Sequence, residues 1–361
     1  MRATIKDVAK KSGFSISTVS MVVNNKPGVS IPQRTRDKIM EAVRELGYRP
    51  NRLAVSLVTK KSNTLGLIIP DNSNVFFAEL SKGVEVAARK LGYNLIYGNT
   101  NNKSKRDLDY IRVFIDRGVD GIIFTRSAGT DPDDERACID LLLQSGVCFM
   151  TMDRVIGNRA IYSEALGRMI SSEDIFSVAL DHVKGGYLAT RHLIDLGHRR
   201  IGCVSGPAGL TTSDDRLLGY QQALEEAGIP YDPALIFEGD YEPGSGATAL
   251  PYLLGRNVTA IFAFNDMMAF GIYREVHNFN LSIPDDLSVV GFDDIFFSEI
   301  IQPPLTTLRQ PVFEMGTQVV NELVDLINGV PQGELQRHIR FEPTLQVRGS
   351  TAKVRKEEER I

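Results

Sequence analysis

From residue 64 onward the chain alternates short apolar runs with longer segments that have apolar residues at helical spacing. The apolar runs have the length of buried β-strands, and the segments between them have the spacing of amphipathic helices. The first strands are predicted at 64–70, 93–97, 121–124 and 147–152, with helices at 76–91, 105–117 and 134–145. Strands that are apolar on both faces belong to a parallel sheet covered by helices on both sides.

The same alternation restarts near Ser177 and predicts a second lobe. Its strands are predicted at 201–205, 235–238, 260–264 and 287–291, and its helices at 186–196, 216–227, 246–254 and 266–278. The chain after residue 62 reaches the length of roughly 250–300 residues at which a single core divides. We therefore expect an α/β core at 62–349 with two doubly wound parallel-sheet lobes, lobe 1 at about 62–176 and 294–323, and lobe 2 at about 177–293 and 324–349.

The first residues of the chain have a different pattern, that of short helices joined by a tight turn. Thr4 can cap a helix that ends at Gly13, and Ser15 can cap a second helix over residues 16–23. Two short helices joined by a glycine turn, with small polar residues at the start of the second, are typical of a helix-turn-helix, which lays its second helix in the major groove. The pattern therefore predicts an all-α DNA-binding domain over residues 1–48.

A third helix is predicted over residues 32–46, and a linker follows it at 49–61. Within the linker, Asn51 can cap a short helix over 52–57, which is too short to be stable alone. We expect this hinge helix to fold only against a partner, such as its own copy in a dimer bound to DNA.

Charge separates the same two regions. Residues 1–60 hold 12 Lys and Arg against 4 Asp and Glu, a net charge of +8, whereas the remainder of the chain has a net charge of −12. A cationic module on an acidic body is the electrostatic pattern of a duplex-binding domain attached to a core that does not bind DNA. The alternative is a small helical bundle whose lysines only maintain solubility, and the turn chemistry described above argues against it.

Four motifs of the N-terminal region occur in a fixed order. They are Thr4-Ile5-Lys6-Asp7-Val8-Ala9, Ser17-Thr18-Val19-Ser20, Leu46-Gly47-Tyr48-Arg49-Pro50-Asn51 and Ala54-Val55-Ser56-Leu57. Together they resemble the LacI/GalR family of bacterial transcription regulators. The resemblance implies a homodimeric repressor of carbohydrate-utilisation genes that binds a palindromic operator. It also implies that the two α/β lobes form a sensor of the periplasmic-binding-protein type.

The resemblance assigns DNA contacts by position. It implies that Ile16, Ser17 and Met21 read base edges, while Ala54 and Leu57 of the hinge helix enter the minor groove, where a leucine wedges open a base step. Arginine is usual in the family at the position of Met21, so we expect an apolar contact there, for instance with a thymine methyl, rather than a hydrogen bond to guanine. The other DNA-binding candidates on these motifs are Thr4, Thr18, Asn24, Arg49 and Asn51.

Ligands of open α/β sheets bind beyond the carboxyl ends of the strands, so the residues just after each strand are candidates. Polar or aromatic residues follow four predicted strands here, namely Asp71, Asn74, Phe76 and Phe77, then Asp153 and Arg154, then Asn265 and Asp266, and finally Asp293 and Asp294. The resemblance implies a set of effector-binding residues, some at these strand ends and some elsewhere in the core. They are Phe77, Arg154, Arg216, Tyr241, Asn265, Asp293 and Gln310. Aromatic, carboxylate, amide and guanidinium groups suit a sugar or sugar derivative, whose hydroxyls both donate and accept hydrogen bonds.

Each of these residues also has a purely structural interpretation. Asn265 and Asp293 can be N-caps of the next helix, and Arg216 can be a solvated arginine at a helix start. We expect capping or contacts within a lobe for Asp266 and Asp294, and a core position for Phe76. Two departures from the family near the expected crossover are His182, where asparagine is usual, and a long segment at 156–175.

The remaining restrictions on function come mainly from motifs that the sequence does not contain. Cys138, Cys148 and Cys203 have no metal or redox spacing, which predicts buried free thiols. There is no signal-peptide pattern, no apolar run of about 20 residues and no set of catalytic residues. We therefore expect a cytoplasmic, nucleoid-associated protein that is not an enzyme, needs no cofactor or metal, and has no membrane partner. A charged tail at 350–361 is expected to be disordered.

Two other classes of function remain as alternatives. A sugar-binding receptor without specific DNA function would lack an export signal here and would not explain the charge of +8 in residues 1–60. An enzyme built on the α/β core would lack its catalytic residues.

Overall fold

The computed structural model describes residues 3–24, 30–49, 61–129, 131–154, 160–164 and 166–354. The chain forms two compact units, Met1–Ser62 and Asn63–Ile361. The boundary between them falls within a residue of the predicted start of the core. The predicted hinge helix at 52–57 and most of the predicted tail lie outside the described residues.

The N-terminal unit contains the three predicted helices, α1 (Ile5–Ser12), α2 (Ile16–Val23) and α3 (Gln33–Glu45). Thr4 donates its backbone N–H and its hydroxyl to the carboxylate of Asp7, which ties down the start of α1. Gly13 ends α1 with a φ of 78°, in the left-handed region that favours glycine. The side chain of Ser15 accepts a hydrogen bond from the backbone N–H of Thr18 and caps α2.

These helices pack around a small apolar core. Its buried members are Val8, Ala9, Val19, Val22, Ile39 and Ala42. Val19 and Val22 therefore form the inward face of the second helix, and the opposite face of α2 is left to solvent.

Lobe 1 of the second unit is a six-stranded, all-parallel sheet in the order β13-β7-β4-β3-β1-β2. Its strands are β1 (Thr64–Ile69), β2 (Asn94–Asn99), β3 (Gly121–Phe124), β4 (Cys148–Met152), β7 (Ser177–Leu180) and β13 (His338–Phe341). Its helices are α4 (Val75–Lys90), α5 (Ser104–Asp116), α6 (Pro132–Ser145) and α12 (Val312–Ile327).

Lobe 2 has the same layered construction, in the strand order β14-β12-β11-β10-β8-β9, with only β14 antiparallel to its neighbour. Its strands are β8 (Ile201–Ser205), β9 (Ile236–Glu238), β10 (Ala260–Ala263), β11 (Ser288–Asp293), β12 (Thr306–Arg309) and β14 (Thr344–Gln346). Its helices are α7 (His182–Asp195), α8 (Thr211–Glu226), α9 (Pro243–Leu254), α10 (Asp266–Val276) and α11 (Phe297–Ile300).

The lobes exchange chain segments at three crossovers, and the predicted lobe boundaries are wrong at each of them. Residues 177–180 and 324–341 belong to lobe 1, because β7 and β13 pair with each other at its sheet edge. The helix α12 runs without a break through residue 323, so it cannot be divided between lobes there. Residues 294–309 belong to lobe 2, because β12 pairs with β11.

The long segment at 156–175 contains a β-hairpin, β5 (Ile161–Ser163) with β6 (Arg168–Ile170). The hydroxyl of Ser163 donates to the buried carboxylate of Asp140 on α6, at 2.6 Å. Ile170 is buried in the apolar cluster that includes Cys138. The described part of the insertion is therefore an ordered addition to lobe 1.

All three cysteines are free, as predicted. Cys138 and Cys203 are buried, but Cys148 is only partly buried, because it begins β4 at the end of the strand. Burial raises the pKa of Cys148 above its ordinary value.

The close packing of α7 on α8 gives a first prediction. A Cβ added to Gly186 would collide with the backbone carbonyl of Arg216, and one added to Gly219 with that of Val183. We expect Gly186→Ala to lower the free energy of unfolding by about 1–3 kcal/mol, the usual cost of overpacking, measured by urea denaturation.

The matched control is Gly244→Ala in the first turn of α9, where a Cβ would meet nothing within 4 Å. Alanine there should leave stability unchanged or raise it by up to about 1 kcal/mol. If Gly186→Ala and the wild-type protein have the same midpoint of urea denaturation, α7 and α8 are not in the close contact described.

Candidate functional site

A cleft between the two lobes collects residues that follow the carboxyl ends of strands in both sheets. Lobe 1 contributes side chains from the segments after β1, β2 and β4, and lobe 2 from those after β8, β9, β10 and β11. The lining residues are Asp71, Asn74, Phe76, Phe77, Asn102, Asp153, Arg154, Thr212, Arg216, Tyr241, Glu242, Asn265 and Asp293. This is the position at which open α/β sheets bind ligands.

Six of the seven predicted effector-binding residues lie in this cleft. They are Phe77, Arg154, Arg216, Tyr241, Asn265 and Asp293. The seventh, Gln310, lies behind the cleft wall, where its amide nitrogen donates to the carboxylate of Asp293 at 2.7 Å. The geometry makes Gln310 a residue that orients Asp293.

Arg216 is buried at the centre of the cleft, so the interpretation of this residue as a solvated helix-start arginine is wrong. Its Nε donates to Nδ1 of His182 at 3.2 Å, and its guanidinium also donates to the backbone carbonyl of Phe264. The guanidinium carbon lies 3.7 Å from the centre of the Phe292 ring, which is cation–π geometry. These contacts hold a positive hydrogen-bond donor at a fixed place in the cleft wall.

Arg154 supplies a second buried guanidinium from lobe 1. It donates to the backbone carbonyl of Arg126 at 2.9 Å and to the side-chain oxygen of Asn102 at 3.2 Å. Its guanidinium carbon lies 5.4 Å from the ring centre of Phe77. Burial lowers the pKa of Arg154 from its ordinary value, and the neighbouring carboxylate of Asp153 opposes the shift.

Of the carboxylates beside these arginines, Asp153 is buried and Asp293 is partly buried. Burial raises the pKa of Asp293 well above its ordinary value, and Arg216 opposes the increase. Burial likewise raises the pKa of Asp153, opposed by Arg154 and Arg216. Carboxylates beside buried guanidinium groups can accept hydrogen bonds from a ligand whose hydroxyls fit between them.

Four lining residues have an unusual backbone conformation. The φ angles are 53° at Asn102, 64° at Asp153, 70° at Tyr241 and 122° at Asp293, all in a range that non-glycine residues rarely adopt. Backbone strain of this kind is concentrated at functional sites, where the surrounding structure holds a side chain in a required direction.

The capping alternative is confirmed for Asn265 and wrong for Asp293. The side-chain oxygen of Asn265 accepts from the backbone N–H of Met268 at 2.8 Å, and its amide nitrogen donates to the carbonyl of Tyr241 at 2.9 Å. Asn265 therefore caps α10 and fixes the segment that carries Tyr241. The carboxylate of Asp293 accepts from Gln310 instead.

The contacts expected within a lobe for Asp266 and Asp294 are confirmed. Asp266 is fully buried and accepts hydrogen bonds from the backbone of Ile295 and from two hydroxyls, those of Ser298 and Thr307. Burial raises the pKa of Asp266 to about 6. Asp294 pairs with the guanidinium of Arg348 at 2.6 Å. Phe76, predicted to be core, is buried but also lines the cleft.

The sequence interpretation missed three lining residues, Asn102, Thr212 and Glu242. Asn102 follows the carboxyl end of β2, so the rule that selected the other candidates also applies to it. Thr212 lies in the first turn of α8, which was predicted to begin only at residue 216. Glu242 directly follows the predicted residue Tyr241 but was not itself predicted. Burial raises the pKa of Glu242 above its ordinary value.

The cleft is narrow in this structure. Its volume of about 40 Å³ has room for a few water molecules. Pockets that hold small molecules have volumes of about 300–1,000 Å³. The lobes therefore have to separate before a ligand of the size of a sugar ring can enter.

Four of the predicted DNA-binding residues lie on α2 and Asn24 directly follows it, whereas Thr4 precedes α1 and Arg49 follows α3. Ile16 is 46% exposed in the first turn, Ser17 is exposed beside it, and Met21 is partly exposed one turn further on. Thr18 is partly exposed, while Thr4, Asn24 and Arg49 are exposed. The other predicted contacts are outside the described residues, namely Asn51, Ala54 and Leu57.

At the start of α2 the exposed Ile16 stands beside the exposed Ser17. Apolar and hydroxyl side chains are both among those that contact base edges in the major groove.

Two kinds of feature are absent from the described part of the chain. In it, no helix is both long and apolar enough to cross a membrane. Among the same residues, no three His, Cys, Asp or Glu side chains come together as a metal site requires.

Comparison with known proteins gives matches to both units. Residues 4–51 match the family of bacterial regulatory proteins of the lacI type, and residues 190–351 match a periplasmic binding protein-like domain. The HTH-type transcriptional regulator DegA of Bacillus subtilis (strain 168) is 37% identical to this chain, over 88% of this chain and 89% of its own.

Solved structures are similar over nearly the whole chain. The complex of the transcriptional regulator CelR with cellobiose has a TM-score of 0.69 and 31% identity, covering 97% of this chain and 100% of that chain. The Lac repressor dimer bound to operator and the anti-inducer ONPF has a TM-score of 0.81 and 26% identity, covering 98% and 100%.

A helix-turn-helix unit and a two-lobed core with a polar interlobe cleft define the class of ligand-responsive transcription regulators. The chain belongs to the LacI family of bacterial regulatory proteins. Its relatives are transcription regulators rather than enzymes.

Proposed function

We propose that this protein is a cytoplasmic, homodimeric repressor of carbohydrate-utilisation genes. It binds a palindromic operator, and a small sugar or sugar derivative in the interlobe cleft controls its operator affinity. The observation that carries the proposal is the cleft itself, in which six residues selected by family resemblance surround one space at the carboxyl ends of both sheets. A relative of similar structure is complexed with cellobiose.

The chemistry of the cleft supports a sugar in particular. Two buried guanidinium groups, on Arg154 and Arg216, offer donors, and the buried carboxylate of Asp153 and the partly buried carboxylate of Asp293 offer acceptors. The ring of Phe77 lies beside them, and a sugar can pack its apolar face on an aromatic ring. A molecule that carries a hydroxyl on each carbon can satisfy such mixed partners, whereas an apolar ligand would leave them unpaired.

The control of operator affinity is proposed to be a two-state equilibrium. The lobes separate to admit the effector and then close around it. This closure shifts the contacts between the two protomers and orders or melts the hinge helices at residues 51–57. The effector changes operator affinity only to the extent that it binds one state better than the other.

The test begins with selection of bound duplexes from a random DNA pool by the purified full-length protein at moderate salt. We expect an inverted repeat with a flexible central step, which a minor-groove wedge can bend. The selected operator is then used to screen mono- and disaccharides for tightening or release. Binding that is independent of sequence and falls steeply with salt would contradict the proposal and favour a sugar receptor without DNA function.

Dimerisation gives a second prediction. On the short helix α11 and beside it, Phe296, Phe297 and Ile300 are 68%, 48% and 55% exposed, and such adjoining apolar side chains indicate a surface that another protein covers. We propose that a second copy of this chain covers it. Phe297→Asp should convert the dimer to a monomer at micromolar concentration, as measured by analytical ultracentrifugation.

The matched control is Tyr162→Asp on the β5–β6 hairpin, where an aromatic ring is 53% exposed. This variant should remain dimeric. If Phe297→Asp also sediments as a dimer, the surface at α11 is not the interface.

A further inference from the structure

A second and larger cavity, which we name the crossover cavity, lies where the chain passes between the lobes. Its volume is about 430 Å³, within the range of small-molecule sites. Lobe 1 contributes the edge strands β7 and β13 and the turn that contains Glu173, and lobe 2 contributes the first turns of α7 and α8. Asp153 is the only lining residue that it shares with the interlobe cleft.

The crossover cavity contains buried polar groups without partners. Asp153, His182 and Thr211 are each more than nine-tenths buried. In the described part of the chain, Oδ1 of Asp153, Nε2 of His182 and Oγ1 of Thr211 have no hydrogen-bond partner. Because buried polar atoms in folded proteins are nearly always hydrogen-bonded, three such atoms around one cavity indicate a polar occupant.

The contacts of His182 define what that occupant has to provide. Nδ1 accepts a hydrogen bond from Arg216, so the neutral ring carries its proton on Nε2. Burial and the nearby arginines lower the pKa of His182 well below its ordinary value, which keeps the ring neutral. Nε2 lies 3.8 Å from Oδ1 of Asp153, too far for a direct hydrogen bond. A hydroxyl group can join them, because it accepts from Nε2–H and donates to the carboxylate.

The charge of the crossover cavity is the second restriction. Four carboxylates line it, on Asp153, Glu173, Asp181 and Asp215, against the single guanidinium of Arg340. Arg154 and Arg216 offset the charge of Asp153, and the other three carboxylates still outnumber Arg340. His338 lies beside Glu173, with Nε2 3.3 Å from the carboxylate. An excess of negative groups favours a cation and disfavours phosphorylated or carboxylated ligands.

We propose that the crossover cavity is a second ligand site, separate from the effector cleft, and that it takes a small hydroxylated amine such as an amino sugar. A hydroxyl of the ligand joins His182 to Asp153, and its ammonium group faces the carboxylates of Asp215 and Glu173. Because both lobes form the walls, an occupant biases the angle between them. The link from His182 to Arg216 connects the crossover cavity directly to the effector cleft.

The experiment is calorimetric titration of the full-length protein with glucosamine, mannosamine and 2-amino-1,3-propanediol. The diagnostic variants are Asp215→Asn and Glu173→Gln, which alter only the crossover cavity, and the matched control is Glu242→Gln, which alters only the cleft. We expect at least one amine to bind with a Kd below about 1 mM. Asp215→Asn should weaken that binding by at least about tenfold. Glu173→Gln should weaken it by about threefold, because the side chain of Glu173 is 81% exposed and solvent screens its charge. The control should change it by less than about twofold.

Two outcomes would overturn the inference. One is that none of the three amines binds. The other is that Glu242→Gln weakens amine binding while Asp215→Asn and Glu173→Gln do not, which would locate the amine in the effector cleft. Circular dichroism of each variant shows whether it is folded. Operator binding and the sugar response, measured on the same samples, report on the proposed function separately, so the failure of one does not imply failure of the other.

Discussion

Arg216→Met is expected to abolish the response of operator binding to sugar while leaving operator binding itself intact. Arg216 is the one cleft residue that contacts His182, the Phe264 carbonyl and the Phe292 ring at once. A ligand oxygen bound to this guanidinium would lose a buried hydrogen bond to a charged group, worth about 3 kcal/mol. The affinity for sugar should therefore fall by about 100-fold or more.

The measurement is fluorescence anisotropy of the selected operator, titrated with the sugar that shifts wild-type binding. The matched control is Arg256→Met. That guanidinium also stacks on a ring, 3.5 Å from the centre of Tyr252, and donates to a backbone carbonyl, but it does not line the cleft. The control should respond to sugar as the wild-type protein does.

Methionine removes hydrogen bonds from a buried position, so the stability of the variant has to be measured as well. Arg216→Lys keeps the positive charge but cannot reproduce the planar donor set, and it should retain operator binding with a weakened response to sugar. A full sugar response in both variants of Arg216 would exclude this residue from the effector site.

The local structure followed closely from the sequence, because it depends on signals a few residues apart. The caps at Thr4 and Ser15, the glycine that ends α1, and the apolar runs of the first strands are all of this kind. The start of α8 shows the limit. Residues 211–215 are polar and resemble a loop, yet they are helical, and Thr211, Thr212 and Ser213 are buried.

The lobe boundaries failed for a different reason. The residues of a short strand such as β7 or β13 do not show which of the two sheets the strand joins. Its lobe is decided by register with a partner distant in the chain, such as Ser177 opposite His338. Pairing between distant segments is not encoded in local periodicity, so the pattern could predict two lobes but not where the chain crosses between them.

The candidate site was predictable to the extent that it follows strand ends. Arg154, Asn265 and Asp293 were found by this rule, because the carboxyl ends of parallel strands meet at one edge. The placement of Gln310 behind Asp293 could not be deduced in this way, since it depends on how two neighbouring turns pack. The crossover cavity was invisible for the same reason, although His182 had already stood out as a departure from the family.

Ser17→Glu is expected to weaken operator binding by about 100-fold or more without destabilising the DNA-binding domain. Ser17 is exposed in the first turn of α2, the face proposed to enter the major groove. A carboxylate there meets phosphates of the same charge, and such a juxtaposition costs several kcal/mol. At the start of a helix, however, a negative charge is favourable to the helix itself, so thermal stability should be unchanged or slightly raised.

The opposite signs of these two effects make the variant informative, because a loss of operator binding could not be attributed to unfolding. The control is Met40→Glu, which adds the same charge to the same unit on α3, where Met40 is 41% exposed. Anisotropy at about 150 mM salt should show near-normal operator binding for Met40→Glu. If both variants lose affinity equally, net charge alone governs binding and the helix α2 does not lie in the groove. If neither loses affinity, another surface binds the operator.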